Sequence, residues 1–415
     1  MKKTISIITA LLFGAIACCQ DTINIRQCFI SAETNHSLYG QKGLNKEISG
    51  YEVANIKKSW FPDVNINGQA TYQSDVVGFG TFTAPHDQYK LYLEANQQVY
   101  DGGTARMKKE VELTNLEINQ QQLEVEFHNV RQQVNMVYFT IAILKKNAEM
   151  LSISRSELNE KLKTVKAAIE NGALLPESEY VLKAELLKLE SQEEELHYKI
   201  TAAVNSLNEL TGLKTSPESE FTVPYGIQIN DSVTPRPEAM VFDLRKALVE
   251  NNIGLLKTVN RPKLYAFAQA GYGKPGLNML NTEFDYYYIA GLGLKWNLTD
   301  WGESRNRIKS GNLQLQVINL NTDNFDRNIT IALQNELAKI NQYSSALDKD
   351  KLLIELRADI KKSASAKLQN GTITATDYIT ESNEELMARI RYETHIILLV
   401  QSIINYQLIR GELIL

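Results

Sequence analysis

Apolar and polar residues alternate in four segments of the chain. The apolar positions are Val64, Ile66, Gly68, Ala70 and Tyr72 in the first segment, Leu91, Leu93 and Ala95 in the second, and Leu264, Ala266, Ala268, Ala270 and Tyr272 in the third, while the fourth segment covers about residues 285–298. A period of two is typical of strands, and roughly ten residues is the length of a tilted strand that crosses a bilayer. The pattern predicts four transmembrane strands, with hairpins on a soluble domain as the alternative.

Aromatic residues cluster beside these segments. The three tryptophans are Trp60, Trp296 and Trp301, and Tyr286, Tyr287 and Tyr288 open the fourth segment. Amphipathic rings collect where a membrane meets water. The aromatic positions therefore favour membrane strands over soluble hairpins.

A different period follows the first strand pair, where apolar residues are spaced alternately by four and three. They are Leu123, Phe127, Val130, Val134, Val137, Ile141, Leu144, Ala148, Leu151, Leu158, Leu162, Val165 and Ile169. Only Arg155 breaks this heptad seam, and neither Gly nor Pro occurs between residues 104 and 170. The pattern predicts one helix of roughly 100 Å that packs lengthwise against neighbours. A second long helix is predicted at about 303–369, with a less regular seam at Ile329, Leu333, Ile340 and Leu347.

Each long helix is predicted to end at an Asn-Gly pair, Asn171-Gly172 and Asn370-Gly371, because both residue types tolerate left-handed backbone. The chain then turns back into a second helix. These return helices are predicted at about 177–211 and 375–410, and further helices at 24–59 and 238–259.

The chain contains two copies of one unit. Six landmarks recur at an offset of 199 residues: Asp101 and Asp300, Gly103 and Gly302, Arg106 and Arg305, Asn171 and Asn370, Gly172 and Gly371, and Gly212 and Gly411. A period this long indicates a duplicated module rather than a solenoid. The predicted organisation is a first repeat at 21–212, a proline-containing linker at 213–236 and a second repeat at 237–415.

The first twenty residues predict a secretory signal peptide, with Lys2 and Lys3 ahead of a short apolar stretch and small residues. Cleavage before Gln20 would leave Cys28 as the single cysteine, whereas cleavage before Cys18 would allow lipid attachment there. Loss of the two lysines moves the formal net charge from −5 to −7. An acidic mature chain argues against nucleic acid as the main partner.

Four strands cannot close a barrel, and an open sheet edge in lipid leaves unpaired backbone groups that cost several kcal/mol each. Other copies of the chain must therefore supply the missing strands. Three copies would give twelve strands, although the strand count by itself does not fix the number of copies.

Taken together, these features resemble the TolC-like outer-membrane efflux protein family. The resemblance is carried by Arg236-Pro237-Glu238 before a helix, Arg261-Pro262 before a strand, the segment from Trp296 to Gly302, and the segment from Asn370 to Tyr378. It implies a mainly helical chain with membrane strands, and a homotrimer with a 12-stranded β-barrel in the Gram-negative outer membrane and a periplasmic α-helical barrel. It also implies a passive export channel without cofactors, which serves a tripartite pump or a type I secretion system through a periplasmic adaptor and an inner-membrane transporter.

The hairpin tips are the candidate site for adaptor contact or gating: Asn171, Gly172, Asn370, Gly371 and Asp377. The first repeat departs from the second here, because Pro176 intervenes and Glu179 and Tyr180 come one residue later than Asp377 and Tyr378. A carboxylate at such a constriction would set charge selectivity; the simpler interpretation is a capped turn.

Catalysis is not predicted. Residues 271–276 match the spelling GxGxxG, but a dinucleotide site needs a helix to start there, and Pro275 and Gly276 predict a turn between strands. The five histidines, at 36, 86, 128, 197 and 395, form no ligand pair at helical spacing, and His197 after three glutamates is expected on a solvated helix face. We therefore expect neither a metal site nor an enzyme, and the alternative to a channel is a periplasmic adaptor-type assembly protein, which typically has one hairpin rather than two.

Overall fold

A computed structural model describes residues 22–226 and 235–412. The chain divides into two compact units. One unit contains the described parts of residues 1–36, 129–232 and 333–415, and the other contains those of residues 37–128 and 233–332. Cys18 and the rest of the predicted signal peptide lie outside the described residues.

Residues 22–211 contain the long elements in the predicted order, together with short strands that the sequence did not predict. They are β1 (Thr22–Ile23), α1 (Ile25–Asn35), α2 (Leu38–Lys58), β2 (Asp63–Tyr72), β3 (Gly78–Phe79), β4 (Phe82–Thr83), β5 (Asp87–Tyr100), α3 (Thr104–Glu170) and α4 (Glu177–Thr211). The predicted opening helix is in fact two helices. It breaks because His36 adopts an extended conformation, while Asn35 turns its side chain onto the carbonyl of Thr211 at 3.0 Å.

The second repeat has the same order of long elements. After β6 (Glu220–Phe221) come α5 (Pro237–Leu256), β7 (Lys263–Lys274), β8 (Asp285–Lys295), α6 (Glu303–Gln369) and α7 (Ala375–Ile409). The bounds predicted for the two long helices are confirmed at both ends. The last strand is three residues shorter than predicted, because its pairing with β7 finishes at Lys263 opposite Lys295.

In the unit that contains the strands, β2, β5, β7 and β8 form one antiparallel sheet in that order. The register sets Ile66 opposite Leu93, Leu93 opposite Ala270, and Ala270 opposite Tyr288. The apolar positions predicted from alternation therefore all share one face. Ile66 and Leu292 on that face are exposed, as expected of a surface that would meet lipid.

The opposite face of the sheet is polar and packs rings over glycines. Glu94 accepts hydrogen bonds from Asn67 and Gln269, both at 3.2 Å. A Cβ on Gly293 would overlap the ring of Tyr265, and one on Gly291 would lie 2.8 Å from Phe267 Cζ. The glycines therefore leave the space that the aromatic side chains of the neighbouring strand occupy.

In the other unit, β6 of the predicted linker forms a short parallel pair with β1. Thr22 pairs with Glu220 and Ile23 with Phe221. The hydroxyl of the fully buried Tyr138 lies 2.8 Å from the carbonyl oxygen of Ile23 and 2.7 Å from that of Thr222. This unit also buries Cys28 completely, and that burial raises the pKa of its thiol to about 12. Sequence reasoning missed this pair, because two-residue strands carry no periodic signal.

The heptad seam of α3 is confirmed as its buried face. Val134 and Ile141 are fully buried in one cluster, while Leu158 and Val165 are buried in a second cluster with residues of α4, α6 and α7. Arg155, the predicted misfit, lies beside the seam and pairs with Glu193 at 3.2 Å. Among the described residues, no helix is both long enough and apolar enough to cross a membrane.

Candidate functional site

Both long helices end in the same backbone motif at the predicted Asn-Gly pairs. Gly172 and Gly371 have φ values of 74° and 66°. The amide of Ala173 donates to the carbonyl of Ala168, and the amide of Thr372 donates to that of Lys367. These are Schellman endings, in which a glycine in left-handed conformation lets the last carbonyls of a helix find donors. The predicted turn role of these residues is confirmed.

The two hairpin tips lie against each other. A Cβ on Gly371 would be 3.3 Å from the carbonyl oxygen of Ala173. A cleft of about 420 Å³ is lined from both tips, by residues that include Leu175, Glu177, Ile373 and Asp377. The structure thus brings the candidate tip residues of the two repeats to one place.

Asp377 has a defined structural part at this tip. Its carboxylate accepts hydrogen bonds from the Thr374 amide at 2.9 Å and the Thr374 hydroxyl at 2.7 Å, and its own amide donates back to that hydroxyl. This is a capping box at the start of α7. The hydrogen bonds from Thr374 lower the pKa of Asp377, so the cap holds the carboxylate in its charged form.

The first repeat begins its return helix differently. Pro176 occupies the N-cap of α4, which has no side-chain cap. The two matched tyrosines are each the fourth residue of their return helix, yet Tyr378 is buried whereas Tyr180 is 69% exposed. The tips of the two repeats therefore match in backbone turn but present different side chains.

An ionic cluster lies between the hairpins above the tips. Lys361 on α6 is 2.5 Å from Glu157 on α3 and 3.2 Å from Glu385 on α7. Arg389 also binds Glu385, and Arg357 binds Glu381 at 3.2 Å. Burial would lower the pKa of Lys361, but the two glutamates outweigh that effect and raise it. The cluster is a charged link among three helices.

Lys161 makes a second link at the same level. Its Nζ donates to the hydroxyl and carbonyl of Ser365 on α6, at 2.6 and 3.1 Å, and lies 5.0 Å from the centre of the Tyr378 ring on α7. Burial lowers the pKa of this lysine. One cation of the first repeat therefore contacts both helices of the second.

Sequence reasoning missed these links, although a signal was present. The less regular seam of the second long helix has charged residues where the first has leucine: Arg357 matches Leu158 and Asp350 matches Leu151 at the offset of 199. Asp350 is buried and lies 2.5 Å from His395 Nδ1. An interrupted heptad can therefore indicate a polar seam and not only a weak one.

The spelling GxGxxG lies partly in a strand, since β7 continues to Lys274 and no helix follows before β8. Among the residues of 22–226 and 235–412, no group of three or more His, Cys, Asp or Glu side chains is placed to hold a metal ion.

Comparison with known proteins agrees with the predicted family. Residues 45–213 match the family model described as outer membrane efflux protein. The predicted resemblance is confirmed. The match also agrees with the predicted location in the outer membrane.

The fold is shared with solved outer-membrane channels. The outer membrane protein VceC of Vibrio cholerae is 13% identical with a TM-score of 0.71, and the match covers 94% of this chain and 96% of VceC. The CmeC outer membrane channel of Campylobacter jejuni is 14% identical with a TM-score of 0.69 over 93% of this chain and 85% of CmeC. The open-state MtrE channel of Neisseria gonorrhoeae is 14% identical with a TM-score of 0.68 over 94% and 89%. No curated protein matches the sequence.

Proposed function

We propose that three copies of this chain form an outer-membrane channel that serves as the passive exit duct of a tripartite efflux pump or a type I secretion system. The duct would carry small molecules, metals or peptides. The proposal is supported above all by the sheet order β2-β5-β7-β8, in which β2 and β8 each have one neighbour.

The sheet needs further strands if it lies in lipid. Its apolar face exposes Ile66, Leu292 and Tyr286, which are 74%, 72% and 81% accessible. Backbone groups at an open edge are not tolerated in hydrocarbon, so β2 of one copy pairs with β8 of the next until the sheet closes. Three copies give twelve strands, which is enough for a water-filled lumen on the polar face.

Detergent extracts of outer membranes test this function. Unheated samples should migrate in gels as a folded oligomer and convert on boiling to a single chain, smaller than the 46.9 kDa of the full sequence by the cleaved signal peptide. The purified oligomer should conduct ions across a planar bilayer. A deletion strain should gain sensitivity to the exported drugs or metals. A protein that purifies as a monomer without detergent, or that fractionates with the inner membrane, contradicts the proposal.

The hairpin tips are proposed to meet a periplasmic adaptor, which joins the duct to an inner-membrane transporter. The tip cleft and the adjoining Asn171, Gly172, Asn370, Gly371 and Asp377 form the candidate contact. Single cysteines that replace Asn171 or Asn370 should cross-link to the adaptor in cells. The control is a cysteine in place of Glu195, which should remain unlinked. Glu195 is exposed and lies about 27 Å along α4 from the first residue of that helix. Equal cross-linking from Glu195 would argue against the tips as the contact site. If this chain were itself the adaptor, the tip cysteines would instead cross-link to a channel protein.

A further inference from the structure

The two hairpins of one chain contact each other through unlike faces. The helices correspond closely: α3 and α6 are both 67 residues long and offset by 199, while α4 and α7 are both 35 residues long and offset by 198. These offsets allow every contact between the hairpins to be compared with the matched positions on the opposite faces.

Within the chain, the first repeat contributes Glu157 and Lys161, and the second repeat contributes Lys361, Tyr378 and Glu385. Glu157 and Glu385 both bind Lys361, and Lys161 lies over Tyr378. The interface is therefore built from charges and one aromatic ring.

The matched positions on the other faces are free of these charges. Glu157 corresponds to Leu356, Lys161 to Ile360, Lys361 to Leu162, Tyr378 to Tyr180 and Glu385 to Leu187. Leu356, Ile360, Tyr180 and Leu187 are 54%, 43%, 69% and 66% exposed and Leu162 is partly buried against an apolar cluster of its own chain, whereas Tyr378 and Glu385 are buried. Because the matched residues do not repeat the contact inside the chain, each chain has one satisfied interface and two complementary open faces.

A contact of this kind joins unlike faces and therefore continues from copy to copy until it closes a ring. We propose that a second copy of this chain covers the open faces, with Leu356 and Ile360 of one copy packed against Leu162, Leu187 and Tyr180 of the next. The proposal rests on the proposed oligomeric channel and adds the residues that join its subunits. Around the ring, an ionic interface between the two hairpins of one chain would alternate with an apolar interface between neighbouring chains.

The substitutions between the two interfaces are matched in chemistry. The charged triad Glu157–Lys361–Glu385 becomes Leu356, Leu162 and Leu187, so every member changes from charged to apolar together. A charge facing leucine would leave a buried ion without a partner. The concerted change therefore favours an interface in which these leucines contact each other. It argues against faces that contact water or a charged partner.

Cysteine cross-linking of the full-length chain in membranes tests this assignment. The variant L187C/L356C, treated with a short bis-maleimide, should give covalent species of two and three chains, whereas the single variants and wild type should remain single chains. Glu160 lies about 200° around α3 from Leu162, so E160C/L356C is the matched control and should not link. E157C/E385C should link only within one chain.

A second variant tests the chemistry of the apolar interface. The change L356E/L162K/L187E rebuilds the ionic triad between copies and should retain the oligomer, while L356E alone should lose at least tenfold in oligomer yield. Linking of L187C to a different protein, or linking only within a chain, overturns the proposal. If wild type is oligomeric in detergent but L187C/L356C does not link, the apolar interface is wrong and the channel stands. If wild type is a monomer, the channel itself fails.

Discussion

Lys161 and Tyr378 face each other across the two hairpins, with the lysine Nζ 5.0 Å from the centre of the tyrosine ring. The same ammonium group donates to Ser365 at 2.6 Å. A residue of the first repeat thus fixes the start of α7 against α6, close to the tips that we propose as the adaptor contact.

We expect Lys161→Ala to destabilise this contact by about 1–3 kcal/mol, because the Ser365 hydroxyl loses a charged partner and the Tyr378 ring loses its cation. Thermal unfolding of the protein in detergent measures the change. Lys163→Ala is the control, since that side chain is 72% exposed and its removal should change stability by less than about 0.5 kcal/mol. Equal effects of the two variants would contradict a structural part for Lys161.

The ionic cluster predicts opposite outcomes for one substitution and for three. Glu385→Leu alone should cost about 1–3 kcal/mol, because the largely buried Lys361 loses one of its two carboxylate partners. The triple change E157L/K361L/E385L copies the matched leucines of the other faces and should be near neutral or stabilising, since buried ion clusters often yield to apolar packing of similar volume. Denaturant unfolding measures the stability of both variants. A triple variant that is less stable than the single one would refute this account.

The sheet predicts that glycines beneath aromatic rings cannot be replaced. Gly293→Ala should sharply reduce the yield of folded protein in the outer membrane, because the new Cβ overlaps the Tyr265 ring. Gly68→Ala is the matched control, since its Cβ would lie at an ordinary 3.7 Å from Leu91 Cδ1. The variant G293A/Y265A should recover yield, and its failure to do so would show that the clash is not the cause. Heat-dependent gel migration reports the folded fraction.

The capping box predicts a pH dependence at the start of α7. The hydrogen bonds from Thr374 hold the folded-state pKa of Asp377 below its ordinary value of 3.8. The contribution of the charged cap is therefore fully present above pH 3.8 and is lost as the pH falls through the lower folded-state pKa. Exchange of the Thr374, Asp377 and Tyr378 amides, followed from pH 5 downward, should lose protection only in that acid range. Asp377→Asn should show less protection already at pH 5, whereas a wild-type helix start that is insensitive to acid would contradict the cap.

The tip and the seams differ in how far the sequence predicted them. The Asn-Gly endings were predictable, because a glycine after a long periodic helix has few other uses. The burial of Tyr378 and the exposure of Tyr180 were not, because both are the fourth residue of their helices and only the neighbouring helices decide what each ring meets.

The sequence by itself determined the local periods and the strand faces, because each depends on spacing along one segment of chain. Only the tertiary structure decided which helices exchange charges, because Glu157, Lys361 and Glu385 are far apart in sequence and meet through packing. The short pair of β1 and β6 is a second example, since two residues carry no period and are held by the buried Tyr138. Periodicity specifies a face of an element, whereas the partner of that face is a property of the whole fold.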